Sequence, residues 1–132
     1  MFRDLLAKDP LDANTLNYLG YMLAERGTKL DEAVSLIQRA LKVEPDNPSY
    51  LDSLGWAYVQ QGNLELADAP LTRAAADLPK NSVIQDHLGD LRQKQNRHAD
   101  AIAAWQQALA GDGDSLDRAK VQKKIDAAKK AR

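Results

Sequence analysis

The sequence predicts an all-α chain organised as a solenoid of helix hairpins, and three recurrences carry that prediction. Leu54-Gly55-Trp56 is echoed by Leu19-Gly20-Tyr21, 35 residues upstream, and by Leu88-Gly89-Asp90, 34 residues downstream. Ala33, Ala67 and Ala101 form one series of small residues and Ala40, Ala74 and Ala108 another, both at intervals of 34. Pro10, Pro45 and Pro79 punctuate the chain at intervals of 35 and 34. A glycine inside a helical pattern costs roughly 1 kcal/mol against alanine. Three at one phase need a common cause, and the close approach of another helix supplies it. Self-similarity at this period marks stacked two-helix units.

Residues 2–9 place Phe2, Leu5 and Leu6 on one helical face ahead of Pro10. Phe2, Leu5 and Pro10 hold the phase that Ile37, Ala40 and Pro45 hold later, so this segment reads as the trailing helix of an incomplete repeat in a longer array. An ordinary N-terminal capping helix is the alternative. In the first full unit (13–46), Leu16, Tyr18, Leu19 and Leu23 recur at helical spacing over Ala13 to Glu25, and Gly27 supplies a C-cap. Thr28 to Leu30 form a turn one residue longer than in the next unit. A return helix from about Asp31 to Val43 buries Ala33, Ile37, Ala40 and Leu41.

In the second unit (48–80), Asn47-Pro48 opens a helix with proline in its first turn, where the missing N–H does no harm. Leu51, Leu54, Trp56 and Tyr58 follow, and Gly62-Asn63 turns the chain into a helix from Leu64 to Asp77 through Ala67, Leu71 and Ala74. Pro70 lies inside that helix, where it removes the bond to the Leu66 carbonyl and favours a bend. In the third unit (82–110), Asn81-Ser82 caps a helix carrying Ile84, Leu88 and Leu91. Asn96 replaces the turn glycine, since asparagine tolerates the left-handed conformation. His98 to Leu109 return with Ala101, Trp105 and Ala108. Gly111-Asp112-Gly113-Asp114 reads as a linker, and Ser115 to about Lys130 as an amphipathic helix (115–131) capping the stack through Leu116, Val121, Ile125 and Ala128.

The 132 residues are 44% hydrophobic and 28% charged, with a formal net charge of −1, which gives no bulk attraction to nucleic acid or anionic membrane. There is no cysteine, so thiol catalysis, thiolate ligation and disulfides are absent. No apolar run approaches the ~20 residues needed to span a bilayer, and no signal-peptide order is visible, so no direct membrane insertion is expected and the compartment stays open, cytoplasmic or periplasmic. Seven Lys or Arg stand between residues 115 and 132 against two Asp. They have no interleaved aromatics, and the remainder of the chain is acidic. A solvated cap is expected there rather than a nucleic-acid site.

The spacing of leucine, glycine, a large residue, then alanine, a large residue, alanine and proline resembles the tetratricopeptide repeat. The second unit supplies Leu51, Leu54, Gly55, Tyr58, Ala67, Leu71, Ala74 and Pro79. The first supplies Leu16, Leu19, Gly20, Leu23, Ala33, Ile37, Ala40 and Pro45. The third departs, with Gln85, Arg92 and Gly113 at three of these places and Trp105 restoring bulk. The resemblance covers about 100 of the 132 residues, and the Glu-Pro-Asp-Asn-Pro junction resembles bacterial arrays.

That resemblance implies a right-handed α-solenoid whose first helices line a concave groove for a peptide or a partner's helix, a scaffold rather than an enzyme, with no cofactor or metal. The groove positions carried over are Asn14, Asn17, Tyr21 and Glu25, then Asp52, Ser53, Trp56 and Gln60, then Asp86, His87 and Asp90. A chaperone-tail carboxylate clamp is not expected, because Asn17, Tyr21, Ser53, Val83 and His87 occupy its five places and supply no cation. Tyr21 and Trp56 stand as candidate anchors ringed by Glu25, Asp52, Asp86 and Asp90, which would favour a basic or helix-N-terminal partner. The same two aromatics, each following a packing glycine, could instead fill the seam between adjacent first helices. Two further readings are a homodimer or filament through the edge at Phe2, Leu5 and Leu6, and a regulatory or assembly module of a larger enzyme or secretion complex. His87 and His98 lack metal-ligand spacing, and Ser53 and Ser82 have no neighbouring base.

Overall fold

The computed structural model describes residues 12–112 and 116–131, and every described helix begins or ends on a signal legible in the chain. Helix α1 (Ala13–Arg26) is N-capped by Asp12, whose side chain accepts from Thr15 N at 3.2 Å. Helix α3 (Pro48–Gln61) is capped by Asn47 through Tyr50 N at 3.1 Å, and α5 (Ser82–Lys94) by Asn81 through Ile84 N at 3.0 Å. These short polar side chains satisfy a first-turn amide that the helix leaves without a partner. The return helices α2 (Leu30–Val43) and α6 (His98–Ala110) have no such side-chain cap. Helix α4 runs Leu64–Asp77 with Pro70 inside it, and α7 runs Arg118–Ala131. The expected start of the last helix at Ser115 is therefore too early. Asp117 precedes α7 and accepts from Lys120 N at 3.1 Å, which sets the start at Arg118.

The turns reverse the chain through left-handed backbone. Gly27 (φ 66°) and Gly62 (φ 80°) supply it without steric cost, and Asn96 (φ 63°) adopts it as expected. The longer first turn needs a second left-handed residue, and Lys29 (φ 49°) takes that place.

The chain divides into two compact units, Met1–Pro70 and Leu71–Arg132, the boundary falling within α4 just after its proline. In unit 1, α1 and α2 form an antiparallel hairpin. Ala13 and Leu16 near the start of α1 meet Leu36 and Ala40 near the end of α2, with Tyr50 of α3 completing that cluster. At the other end, Ala24 meets Ala33, Val34, Ile37 and Ala57. Gly20 lets α1 and α2 approach closely. A Cβ there would lie 2.6 Å from Ile37 Cγ1 and 2.9 Å from the Ala33 carbonyl oxygen. Fully burying a side chain such as Ile37 or Leu16 is worth about 2 kcal/mol, so this apolar seam is what holds the hairpin.

In unit 2, α5 and α6 pair in the same way. Trp105, 2% exposed, fills the space that Gly89 leaves open, and a Cβ on Gly89 would sit 2.3 Å from its Nε1. Trp105 also joins α6 to α7 in a cluster of Ala101, Ile102, Val121, Ile125 and Ala128, with Leu109 and Leu116 against it. The end of α6 is pinned to the start of α5: Ser82 N donates to Asp112 O at 3.0 Å, and Asp112 N to Lys80 O at 2.7 Å. Gly111 permits this, since a Cβ there would lie 2.4 Å from the Lys80 carbonyl oxygen. The expected linker is thus tethered at Gly111 and Asp112. Gly113, Asp114 and Ser115 lie outside the described residues, as do the expected helix at 2–9 and the pairing edge at Phe2, Leu5 and Leu6.

Candidate functional site

Within unit 1 the first helices of the two hairpins, α1 and α3, lie side by side, and polar bonds cross between them at both ends. The Tyr50 hydroxyl donates to Asn14 Oδ1 and lies 3.2 Å from Glu44 Oε2. Burial, then the neighbouring Glu44 carboxylate, push the Tyr50 hydroxyl above the usual tyrosine range, which keeps it a donor. At the other end, Gln60 Nε2 donates to Ala24 O at 2.9 Å, serving a carbonyl in the last turn of α1. Between these bonds lie Asn17 and Tyr21 of α1 with Ser53 and Trp56 of α3. Ser53 is buried and donates to Ser49 O of its own helix at 3.1 Å. Asn17 is half-buried, and its Oδ1 is buried with no hydrogen-bond partner among the described residues.

Tyr21 and Trp56 hold equivalent positions on α1 and α3, and both are half-buried. Trp56 packs one part of its ring against the cluster of Ala24, Ala33, Val34, Ile37 and Ala57. It is therefore partly seam and partly surface. Glu25 is exposed beside them, whereas Asp52, expected in the same ring of carboxylates, is buried at 7% exposure.

Unit 2 presents a different arrangement. His87 is buried at 5% exposure, and Asp86 and Asp90 point to α7. Lys124 Nζ lies 2.9 Å from Asp86 Oδ1 and 2.8 Å from Asp90 Oδ1, and 5.8 Å from the centroid of the Trp105 ring. Burial raises the Asp90 carboxyl above its ordinary value, outweighing the Lys124 bond that pulls it down. For Lys124 burial pulls down, but the bonds from Asp90 and Asp86 outweigh it and the ammonium is held above its ordinary value.

The acidic ring expected around the aromatics is accordingly dispersed. Asp86 and Asp90 are engaged by the chain's own Lys124, Asp52 is buried, and Glu25 alone of the four is exposed. Sequence reasoning missed Tyr50 and Lys124, although both left a trace. Tyr50 stands 36 residues after Asn14, and Lys124 stands 34 residues after Asp90, about one repeat in each case. Among the described residues no three His, Asp or Glu are gathered to hold a metal ion, and no helix is long and apolar enough to cross a membrane.

Antiparallel hairpins with a small residue at each closest approach, an Asx cap on each first helix and a left-handed turn define the tetratricopeptide class of α-solenoid repeat. Residues 28–82 match the tetratricopeptide repeat family model. A tetratricopeptide-repeat-containing protein of Pseudomonas aeruginosa is 43% identical over 88 residues, 67% of this chain and 15% of that protein. The chain therefore spans about a seventh of the length of the relative it matches. Among solved structures, the tetratricopeptide domain of Sgt2 from Aspergillus fumigatus aligns with a TM-score of 0.80 at 24% identity, over 91% of this chain and 78% of that one. MamA aligns at 0.79 with 19% identity, over 98% and 74%. The chaperone SycD of Yersinia enterocolitica aligns at 0.76 with 16% identity, over 89% and 83%. The chain belongs to the tetratricopeptide-repeat family, and its fold class is the all-α solenoid of that family.

Proposed function

We propose that this chain is a protein-interaction scaffold, and that the face made by α1 and α3 in unit 1 takes a peptide or helix of a partner. The observation that carries the proposal is the pair Tyr21 and Trp56. Each sits at the same place on its helix, and each keeps part of a large amphipathic ring at the surface while the helices beneath are locked by Tyr50–Asn14 and Gln60–Ala24. Rigid, half-buried aromatics have little conformational entropy left to lose, which makes them good anchors. The likeness in fold to SycD, a type III secretion translocator chaperone, is consistent with this reading.

The acidity of the face contributes less than the sequence implies, because three of the four carboxylates are turned inward or engaged. The partner contact proposed here is apolar and aromatic at its centre, with Asn17 and the exposed Glu25 and Asn14 around it. The test is a pull-down with wild type against a Tyr21→Ala/Trp56→Ala variant, with circular dichroism on both. Trp56→Ala alone is expected to weaken partner binding by about 1 kcal/mol or more at unchanged helicity. Loss of helicity with no selective loss of partner would assign Trp56 to the core and refute the anchor reading.

A further inference from the structure

We infer that α7 is a resident, displaceable occupant of the binding face of unit 2, and that a partner's amphipathic helix bearing a lysine takes its place by displacing it. The inference rests on the scaffold reading above for the existence of a partner, and its own evidence lies wholly in unit 2. The contact has a simple grammar. Val121, Ile125 and Ala128 are buried against Ala101, Ile102 and Trp105, and Lys124, inside that frame, reaches both Asp86 and Asp90. A valine three residues before the lysine, an isoleucine one after and an alanine four after is one stripe of a helix. The face of α5 and α6 thus reads a short helical pattern, an apolar stripe with one ammonium, and α7 is the copy of that pattern carried in cis.

Two observations favour exchange of α7 even though it closes the core over Trp105. Its buried side chains are few, since every other residue of 118–130 except half-buried Lys124 is exposed. The face is also incompletely filled. A cleft of about 320 Å³ remains at the seam, lined by Asp90, Gln93, Lys94, Trp105, Lys124 and Ala127. A helix with larger apolar side chains can gain contacts there that α7 does not make. The two carboxylates, held close together, need a cation, so a competitor lacking one would leave both half-buried and unpaired. That sets the specificity: lysine-bearing helices compete and acidic or neutral ones do not.

The experiment uses the full chain and, as probe, a fluorescent synthetic peptide with the sequence of residues 118–131. Wild type is expected to bind it weakly, because the cis helix competes at high effective concentration. Lys124→Glu opposes Asp86 and Asp90 and frees α7, so the probe is expected to bind at least tenfold tighter. Asp86→Asn/Asp90→Asn added to that variant removes the gain, and a probe carrying glutamate at the position of Lys124, its other lysines kept, fails on all of them. Hydrogen exchange follows the same change, with α7 amides losing protection while those of α5 and α6 keep it. The inference is overturned if Lys124→Glu gains no affinity, whether α7 stays protected or is released. If Lys124→Glu lowers the helicity of the whole unit, Lys124→Met, which keeps the stem over Trp105 and removes only the charge, is read in its place. Collapse of both variants would show that the unit cannot exist with α7 undocked and would equally overturn the inference. None of these results bears on the unit 1 pull-down, so the two readings fail separately.

Discussion

Gly89→Ala gives the sharpest test of the packing logic, because two effects of opposite sign meet at one atom. Alanine is favoured over glycine inside a helix by about 1 kcal/mol, so on an open helix face the substitution stabilises. Here the added Cβ would lie 2.3 Å from Trp105 Nε1, 2.4 Å from Cδ1 and 2.8 Å from Cε2. Ordinary carbon contacts begin near ~3.5 Å, so the ring must recede by more than about an ångström. It has little room to do so, since Trp105 is 2% exposed and its cluster with Val121 and Ile125 closes the other side. Overpacking of this kind costs about 1–3 kcal/mol, and a rigid bicyclic ring that cannot find another rotamer belongs at the upper end. Less the helix-propensity gain, the net expectation is a loss of about 2 kcal/mol. Thermal unfolding followed by circular dichroism would show this as a Tm fall on the order of 8 °C. A double-mutant cycle isolates the contact. Trp105→Leu removes the indole and destabilises by a cavity of its own, and on that background Gly89→Ala is expected to be neutral or to stabilise by up to about 1 kcal/mol. A single variant as stable as wild type, or a penalty that persists without the indole, would refute the claim that this glycine exists to admit the tryptophan.

Lys29→Gly is expected to stabilise unit 1 by about 0.5–1 kcal/mol in urea unfolding, since lysine at φ 49° carries a left-handed penalty that glycine does not, partly offset by glycine's freer unfolded chain. The docking of α7 is expected to depend on pH at the alkaline end. Lys124 is raised above its ordinary 10.5, so its contribution is complete below pH 10.5 and is lost as pH rises through the folded value. Asp90, also raised, works in the opposite sense to an ordinary ion-paired carboxylate. Its burial favours the protonated form, and that contribution is lost as pH rises from 3.8 through its folded value. Amide protection of α7 should therefore fall as pH rises above 10.5, and Lys124→Met should remove the fall. Tyr50 in unit 1, raised above 10.0 by burial and by Glu44, serves as the control that Lys124→Met leaves unchanged.

What the sequence determined by itself is whatever recurs along it. The phase of Gly20, Gly55 and Gly89, the alanine series, the Asx caps at Asn47 and Asn81 and the left-handed Asn96 are local or strictly periodic, so they specify the hairpins and their closest approaches without reference to the rest of the molecule. The choice of which polar side chain faces which helix was not legible, because it depends on a rotation of each helix that periodicity leaves free. The rotation of α3 buries Asp52 and Ser53, and that of α5 buries His87 and turns Asp86 and Asp90 onto Lys124. Lys29 escaped notice for a related reason: the extra residue in the first turn is visible in the spacing, but only closure of α1 on α2 decides which residue absorbs it. Tertiary structure alone thus decided the site, since a helix face acquires meaning only when a second helix is set against it.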